Sequence, residues 1–330
     1  MCTGVVIEKT KKIKNDDRVF IKVLFEDGRL RVYPIHDRRI KTLIQGQDIN
    51  HEHSATLFGI SLVIRTCDMS IVREHFASRL TDGHRKKAYG EANECHRAVC
   101  IYDPKFFNVG RGDVLLDLGS HIGAATVWFM VKGRVLIVIC VEASPSNFRI
   151  LNKNCDAIIQ KFKASADDAS AAEIKRINAA VVTEQQIECG PEGNQYHVIH
   201  SHRKISGRST TQTPTHTHYG RTFTELKVPA TTLQRLLNEN PTVTAIKIDT
   251  QGNEHHLILS VKNWRKVTKI VLEYDFEYNK KYADFHAFIK QISETFPQHK
   301  SHPRVSHTTG DWPVSHWPPF VVVYLWRDSA

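Results

Sequence analysis

Three segments of the 330-residue chain bring acidic and small residues together in a way that supports chemistry. The first is VLLDLGSHIGAATVWF, residues 114–129. An apolar run ends at Asp117, the turn Gly119-Ser120-His121-Ile122-Gly123 follows, and an apolar helical pattern begins. A glycine at 119 permits a turn that a Cβ would obstruct, and a glycine at 123 lets a ligand approach the helix start closely. The second is VLIVICVEASPSN, residues 135–147, an apolar strand pattern that ends at Glu142 and Ala143. A carboxylate there can accept hydrogen bonds from the ribose hydroxyls of a nucleoside cofactor. Ser144 and Pro145 then read as the N-cap and first residue of a helix. The third is TAIKIDTQGNEHHLILS, residues 244–260, in which a strand ends at Asp249 and Gln251, Gly252, Asn253 and Glu254 follow.

Ligands of open α/β sheets bind outside the carboxyl ends of the strands, so all three segments point to one edge. A dinucleotide calls for glycines spaced G-x-G-x-x-G around a pyrophosphate. Here the spacing is G-x-x-x-G, and the carboxylate of Asp117 would repel a pyrophosphate. S-adenosylmethionine carries no phosphate, and its ammonium and sulfonium are favoured by nearby acid. The residues therefore favour S-adenosylmethionine over NAD. For chemistry on a hydroxyl acceptor, a base at the same edge is needed. Asp249 ranks first and Glu254 second, ahead of His121 and His255. Glu254 also fits a plain role, since an acid in a first helical turn is favoured by the helix dipole alone. Glu273, at the end of another strand, is either structural or part of an acceptor pocket.

The elements that must position these residues alternate along the chain. Strand patterns at 114–118, 135–142, 177–182, 244–249 and 267–275 are separated by helical ones from Gly123, from Ser146, over 254–264 and over 282–295. Such alternation implies a parallel sheet with helices on its faces. The run PFVVVYLW, residues 319–326, reads as a buried strand that closes the sheet as a hairpin. Residues 1–50 hold short β-rich runs around Glu26-Asp27-Gly28-Arg29, a hairpin signal. They are expected to form a small β-rich module, Tudor- or SH3-like, or an extension of the main sheet. Residues 51–330 then form the main domain, opening with a strand at 57–65 and a helix over 69–80. It carries a His-, Ser- and Thr-rich basic insertion at about 184–226, which is too long for an ordinary α/β loop.

The motifs together resemble the FkbM-type methyltransferases, a branch of the class I S-adenosylmethionine-dependent enzymes. The family's D-x-G-A-x-x-G turn corresponds to Asp117 through Gly123, and its E-P-x-P segment to Glu142-Ala143-Ser144-Pro145. Its K-I-D-x-E-G-x-E segment corresponds to Lys247 through Glu254, preceded by Thr232-Leu233-Gln234 in place of T-L-D. Gln251, Gln234 and Ala143 depart from the pattern. The resemblance implies a Rossmann-like seven-stranded sheet, mostly parallel with an antiparallel last strand. It also implies Asp117, Gly119, Ser120, His121, Ile122, Gly123, Glu142 and Ala143 as the S-adenosylmethionine site. The implied reaction is O-methylation of a hydroxyl on a small molecule, sugar or glycan by in-line displacement.

Composition sets the limits. Hydrophobic residues make up 41% and charged residues 24%, which excludes a disordered or collagen-like chain. The longest apolar stretch, Val127 to Val141, is cut by Lys132, Gly133 and Arg134, so no membrane span is expected. The 7 cysteines include no C-x-x-C and suit a reducing compartment, so a cytoplasmic protein is expected, with the nucleus also open. A net charge of +10 keeps a second reading alive, in which the basic insertion, the stretch His84 to Lys87 and the N-terminal module recognise nucleic acid or protein. A third reading, a non-catalytic binding module, follows from Gln251 and Gln234. No metal site is expected. His200-x-His202 and His216-x-His218 lack the fixed paired spacing of zinc ligands.

Overall fold

The computed structural model describes residues 20–24, 30–34, 52–57, 60–65, 68, 102, 105–164, 172–190, 193–202, 209–210, 223–275, 282–304 and 320–328. Expected features at residues 4–7, 26–29, 69–80, 84–87 and 211–222 lie outside the described residues.

The chain opens with strands β1 (Phe20–Leu24), β2 (Leu30–Pro34), β3 (Glu52–Leu57) and β4 (Ile60–Arg65). They form one antiparallel sheet in the order β2-β1-β3-β4. β1 and β2 pair antiparallel from Phe20↔Pro34 to Leu24↔Leu30. The run 57–65 is not one strand: β3 ends at Leu57 and pairs back to back with β4, Leu57↔Ile60.

The main sheet begins with β5 (Val114–Leu118), α1 (Ala124–Val131), β6 (Ile137–Glu142), α2 (Pro145–Lys163) and β7 (Glu173–Asn178). β5 and β6 are near-continuous apolar runs because both of their faces are covered. Residues Ala124 to Met130 of α1 are all buried, which suits a helix that is apolar all round. α2 is amphipathic and buries Asn147, Ile150, Leu151, Asn154, Cys155 and Ile158, a helical stripe. Ser144 is its N-cap residue and Pro145 its N1, but the Ser144 hydroxyl makes no capping bond and pairs with Ser146 Oγ at 3.0 Å.

A second small sheet follows, where the sequence suggests an irregular insertion. Strands β8 (Ala180–Val181), β9 (Glu188–Cys189), β10 (Gln195–His202), β11 (Ser209–Thr210) and β12 (Phe223–Thr231) take the order β11-β10-β12-β8, with β9 on β10. β10 and β12 form an antiparallel ladder from Tyr196↔Pro229 to His202↔Phe223. Its apolar face, Ile199, Val228 and Ala230 with Ala180 and Val182, packs on Ala143. Thus His200 and His202 sit in a strand rather than a solvated loop, and His200 is buried with Nδ1 3.8 Å from Glu225 Oε1.

The chain then returns through α3 (Leu233–Glu239), β13 (Ala245–Ile248), α4 (Glu254–Leu259), β14 (Lys269–Asp275), α5 (Tyr282–Ile292), β15 (Gln298–Arg304) and β16 (Phe320–Trp326). The main sheet has the order β15-β16-β14-β13-β5-β6-β7. β7, β6, β5, β13 and β14 are parallel, and β16 runs antiparallel to β14 and to β15. The order switches sides at β5, which lies between β6 and β13, so a crevice opens at the carboxyl ends of these three strands. Alternate residues feed two cores. Leu115, Val138, Cys140 and Ala245 face α1 and α2. Leu116, Ile139, Ile246 and Ile270 face α3, α4 and α5. Among the described residues, no helix is long and apolar enough to cross a membrane.

Candidate functional site

At the end of β5 the turn 119–123 is tied down by its own backbone. Gly119 N and Ser120 N both donate to Val141 O, at 3.0 and 3.1 Å, and Gly123 N donates to Ser120 O at 2.8 Å. The His121 N–H donates to Glu142 Oε2 at 2.9 Å. Gly119, at φ +72, is indispensable for a reason beyond the turn: a Cβ there would lie 1.8 Å from the carbonyl oxygen of Asp249. Gly123 has φ +88 and its Cβ position lies 3.0 Å from Leu151, so backbone conformation and helix packing also call for a glycine here. Ser120 and Ile122 are buried. The Ser120 hydroxyl donates to Asp117 O and accepts from Val141 N, and Ile122 O accepts from Asn154 Nδ2.

Asp117 is fully buried and stands in register with Lys247 of β13. Lys247 Nζ lies 3.1 Å from Asp117 Oδ1 and donates to Gly119 O at 2.7 Å. Thr126 Oγ1 donates to Asp117 Oδ2 at 2.9 Å. Burial works against the Lys247 charge, but the carboxylates of Asp117, Asp249 and Glu142 outweigh it and hold the ammonium above its ordinary value. The charge of Asp117 is thus cancelled, and the expectation that it repels a pyrophosphate by itself is replaced by another feature. The N–H groups of Gly119, Ser120, His121 and Gly123 are all committed within the protein. Phosphate sites in such turns depend on backbone N–H groups that point at the ligand. The turn fits a cofactor without phosphates.

Glu142, at the end of β6, accepts three hydrogen bonds: His121 N on Oε2, and Ser144 N (2.9 Å) and Asn147 Nδ2 (3.1 Å) on Oε1. An ionised carboxylate has about four acceptor positions, so roughly one remains, on Oε2. That suits one ribose hydroxyl rather than two. Burial pushes the carboxyl above its usual range, against the pull of the three donors. Ala143 is half-buried, and its carbonyl accepts from Asn178 Nδ2 at 3.2 Å.

Asp249 ends β13 directly beside the turn. Its side chain is 26% exposed, with Oδ2 3.9 Å from Lys247 Nζ. It borders a small cavity of about 10 Å³ with Tyr102, Lys247 and Glu273. Gln251 Nε2 donates to its Oδ1 at 2.8 Å. Gln251 holds φ 57 and Gly252 φ 104, so the loop stores backbone strain. Glu254 is fully buried. It accepts from Thr250 N (2.9 Å), Thr250 Oγ1 (3.2 Å) and Gly252 N (3.0 Å), and braces the loop that carries Asp249. Burial, ahead of the pull of the loop N–H groups, pushes its carboxyl up to about 7.

The structure therefore gathers Asp117, Gly119, His121, Glu142 and Asp249 at one edge and keeps Glu254 beneath it. His255 is turned to the aromatic core, with Nδ1 3.2 Å from Tyr274 Oη. Tyr102 lies outside the three motifs, and Lys247 enters the sequence reading only as the start of the K-I-D segment, without a role. A lysine inside the apolar run TAIKID was the available signal. Gln234 departs from the family pattern without touching the edge: its Oε1 accepts from Lys262 N and Asn263 N, tying α3 to the end of α4.

No curated protein sequence matches the chain. Among solved structures, the FkbM methyltransferase of Methylobacillus flagellatus is 13% identical with a TM-score of 0.37. That match covers 68% of this chain and 46% of the other, so the chain spans about half of that protein's length. TYW2 of M. jannaschii, solved with AdoMet, is 8% identical with a TM-score of 0.38, covering 85% of this chain and 86% of the other. TrmK of M. capricolum, solved with S-adenosylhomocysteine, is 9% identical with a TM-score of 0.31, covering 67% and 65%. The family model "Methyltransferase FkbM domain" matches residues 117–299, more than half of the chain and all three motifs between Asp117 and Glu254. On that match and the strand order of its main sheet, the chain belongs to the FkbM family of S-adenosylmethionine-dependent methyltransferases.

Proposed function

We propose that the protein transfers a methyl group from S-adenosylmethionine to a hydroxyl of a small molecule, sugar or glycan. The observation that carries this reading is the placement of Asp249. Its carbonyl abuts Gly119 of the cofactor turn, and its side chain, 26% exposed, belongs to a residue that borders a small cavity of about 10 Å³ with Glu273 and Tyr102. When bound, S-adenosylmethionine supplies an electrophilic methyl on a cationic sulfur. Glu142 holds its ribose through the open position on Oε2, and the turn 119–123 accommodates it without engaging phosphate.

Asp249 would take the hydroxyl proton of the acceptor as the new O–C bond forms and the methyl–sulfur bond breaks, with S-adenosylhomocysteine as the leaving group. Gln251 donates to Oδ1 and leaves Oδ2 as the proton acceptor. Lys247 stands 3.1 Å from Asp117 Oδ1 and 3.9 Å from Asp249 Oδ2, so one ammonium is shared between the two carboxylates. Glu254 is a positioning residue in this scheme: it fixes Thr250 and Gly252, and through them Asp249. Holding the acceptor oxygen in line at about 3–3.5 Å from the methyl supplies much of the acceleration. Gln251 supports turnover as the donor that orients Asp249, which weighs against a non-catalytic module.

The test is methyl transfer from radiolabelled S-adenosylmethionine to a panel of polyols, glycans, peptides and nucleic acids. Label on hydroxyl compounds is expected. Label confined to nucleic acid or protein would replace this reading with recognition through the basic insertion. No label on any acceptor, with the cofactor bound, would leave a binding module.

A further inference from the structure

The hydrogen bonds around Glu142 do not stop at the methyltransferase sheet. Asn147, which donates to Glu142 Oε1, accepts at its own Oδ1 from Arg65 Nη2 at 2.6 Å. Arg65 is the last residue of β4 in the N-terminal sheet and is 3% exposed. Its Nε and Nη2 clamp the two carboxylate oxygens of Asp68, each at 3.0 Å, and its N–H donates to Asp68 at 2.8 Å. Asp68 is fully buried, and its Oδ1 lies 3.5 Å from Nε2 of His121. His121 in turn donates its N–H to Glu142. Asp68, Arg65, Asn147, Glu142 and His121 thus close a circuit that crosses from the N-terminal sheet to both loops of the cofactor site.

A buried ion pair is a poor device for stability, because desolvation offsets its attraction. A bidentate guanidinium, however, fixes direction, since its donors form a rigid fork. In this circuit the fork aims the Asn147 amide. The amide occupies Oε1 of Glu142, which leaves the open acceptor position on Oε2. The Asp68 end of the circuit reaches His121, whose φ of 53 is uncommon for a residue other than glycine.

We propose that Arg65 and Asp68 are positioning residues for the cofactor ribose: they hold Glu142, through Asn147, and the backbone of His121 in the arrangement that reads a ribose hydroxyl. This rests on Glu142 as the ribose acceptor, as argued above. It makes the N-terminal sheet part of the cofactor site. A second link makes the idea testable without unfolding the sheet. Asn154 of α2 accepts from Val63 N (2.6 Å) and donates to Val63 O (2.9 Å), which docks β4 independently of Arg65.

The experiment is calorimetry of the full chain with S-adenosylhomocysteine and its 2′-deoxy and 3′-deoxy analogues. A hydrogen bond to a charged acceptor is worth enough that the wild type should prefer the full ribose by roughly tenfold or more for at least one position. Arg65→Met and Asp68→Asn should bring that preference to within about twofold of unity. Ile64→Ala, which weakens the same strand inside the core, should lower affinity for all ligands alike and keep the preference. If Arg65→Met does not fold, Asn147→Ala cuts the circuit at its centre with the ion pair intact and should also erase the preference. Unchanged preference in the Arg65 and Asp68 variants overturns the proposal. A wild type that binds S-adenosylhomocysteine without any ribose preference overturns it too, while leaving the cofactor assignment standing. A folded wild type that binds no S-adenosylhomocysteine overturns both.

Discussion

Two loops meet at the carboxyl edge of the sheet, and they are built on opposite plans. The turn at 117–123 is closed. Asp117 is paired with Lys247, the N–H groups of Gly119, Ser120, His121 and Gly123 are committed, and Ser120 and Ile122 are buried. The loop at 249–254 is open at the top, with Asp249 partly exposed over a strained Gln251-Gly252 backbone. Its hydrogen bonds run downward, to Glu254. The difference teaches where each kind of recognition resides. A cofactor that is always the same is read by a rigid surface with few spare contacts. In the proposed reaction, the acceptor proton goes to a group that retains access to solvent.

The largest expected effect separates the two loops by function. Asp249→Asn should lower kcat by roughly 10²–10⁴-fold, the usual worth of a general base. Its dissociation constant for S-adenosylmethionine, read by calorimetry, should change little. Equal losses in both would break the division between the loops.

Next comes the charge cancellation beneath the closed turn. Lys247→Met leaves Asp117 buried and unpaired, which should cost about 3–5 kcal/mol in denaturant unfolding. Asp117→Asn combined with Lys247→Met should recover much of that loss. Additive losses would mean that the two side chains do not act as a pair.

The brace under the open loop predicts a pH dependence. Glu254 has its carboxyl at about 7 in the folded chain against the ordinary 4.5. The folded state therefore binds more protons than the unfolded state between these values. Its stabilising contribution is complete below pH 4.5 and is lost as pH rises through about 7, by roughly 3 kcal/mol. Glu254→Gln should flatten the fall in unfolding free energy between pH 4.5 and 8. A slope equal to that of the wild type would remove Glu254 as its source.

The smallest effect concerns orientation. Gln251→Ala removes one hydrogen bond to Asp249 and should lower kcat by about 3–10-fold, with cofactor binding unchanged. An increase in kcat would mean that Gln251 restrains Asp249 rather than aiming it.

Much of this edge was legible in the sequence because its strands are buried on both faces. VLLDL and VLIVICVE announce themselves as apolar runs, and the acids at their ends stand out. Lys247 was harder to assign. Its partner Asp117 is set by the register between β13 and β5, a pairing far apart in sequence. The β10–β12 hairpin inside the 184–226 insertion is hard to read from sequence, because histidines and threonines interrupt the apolar face formed by Ile199, Leu226, Val228 and Ala230. Arg65 and Asp68 were invisible for a different reason. Their meaning depends on β4 docking against α2, which no local pattern encodes. The glycines stand out in the sequence, but the packing of Gly123 against Leu151 depends on how α2 docks and is not legible there.

The most direct test of the account is calorimetric titration of the full chain with S-adenosylmethionine and with NAD, for the wild type and Glu142→Ala. The account predicts micromolar binding of S-adenosylmethionine, weakened at least about tenfold by Glu142→Ala, and no binding of NAD. Binding of NAD in preference, or S-adenosylmethionine binding that Glu142→Ala leaves unchanged, would contradict it.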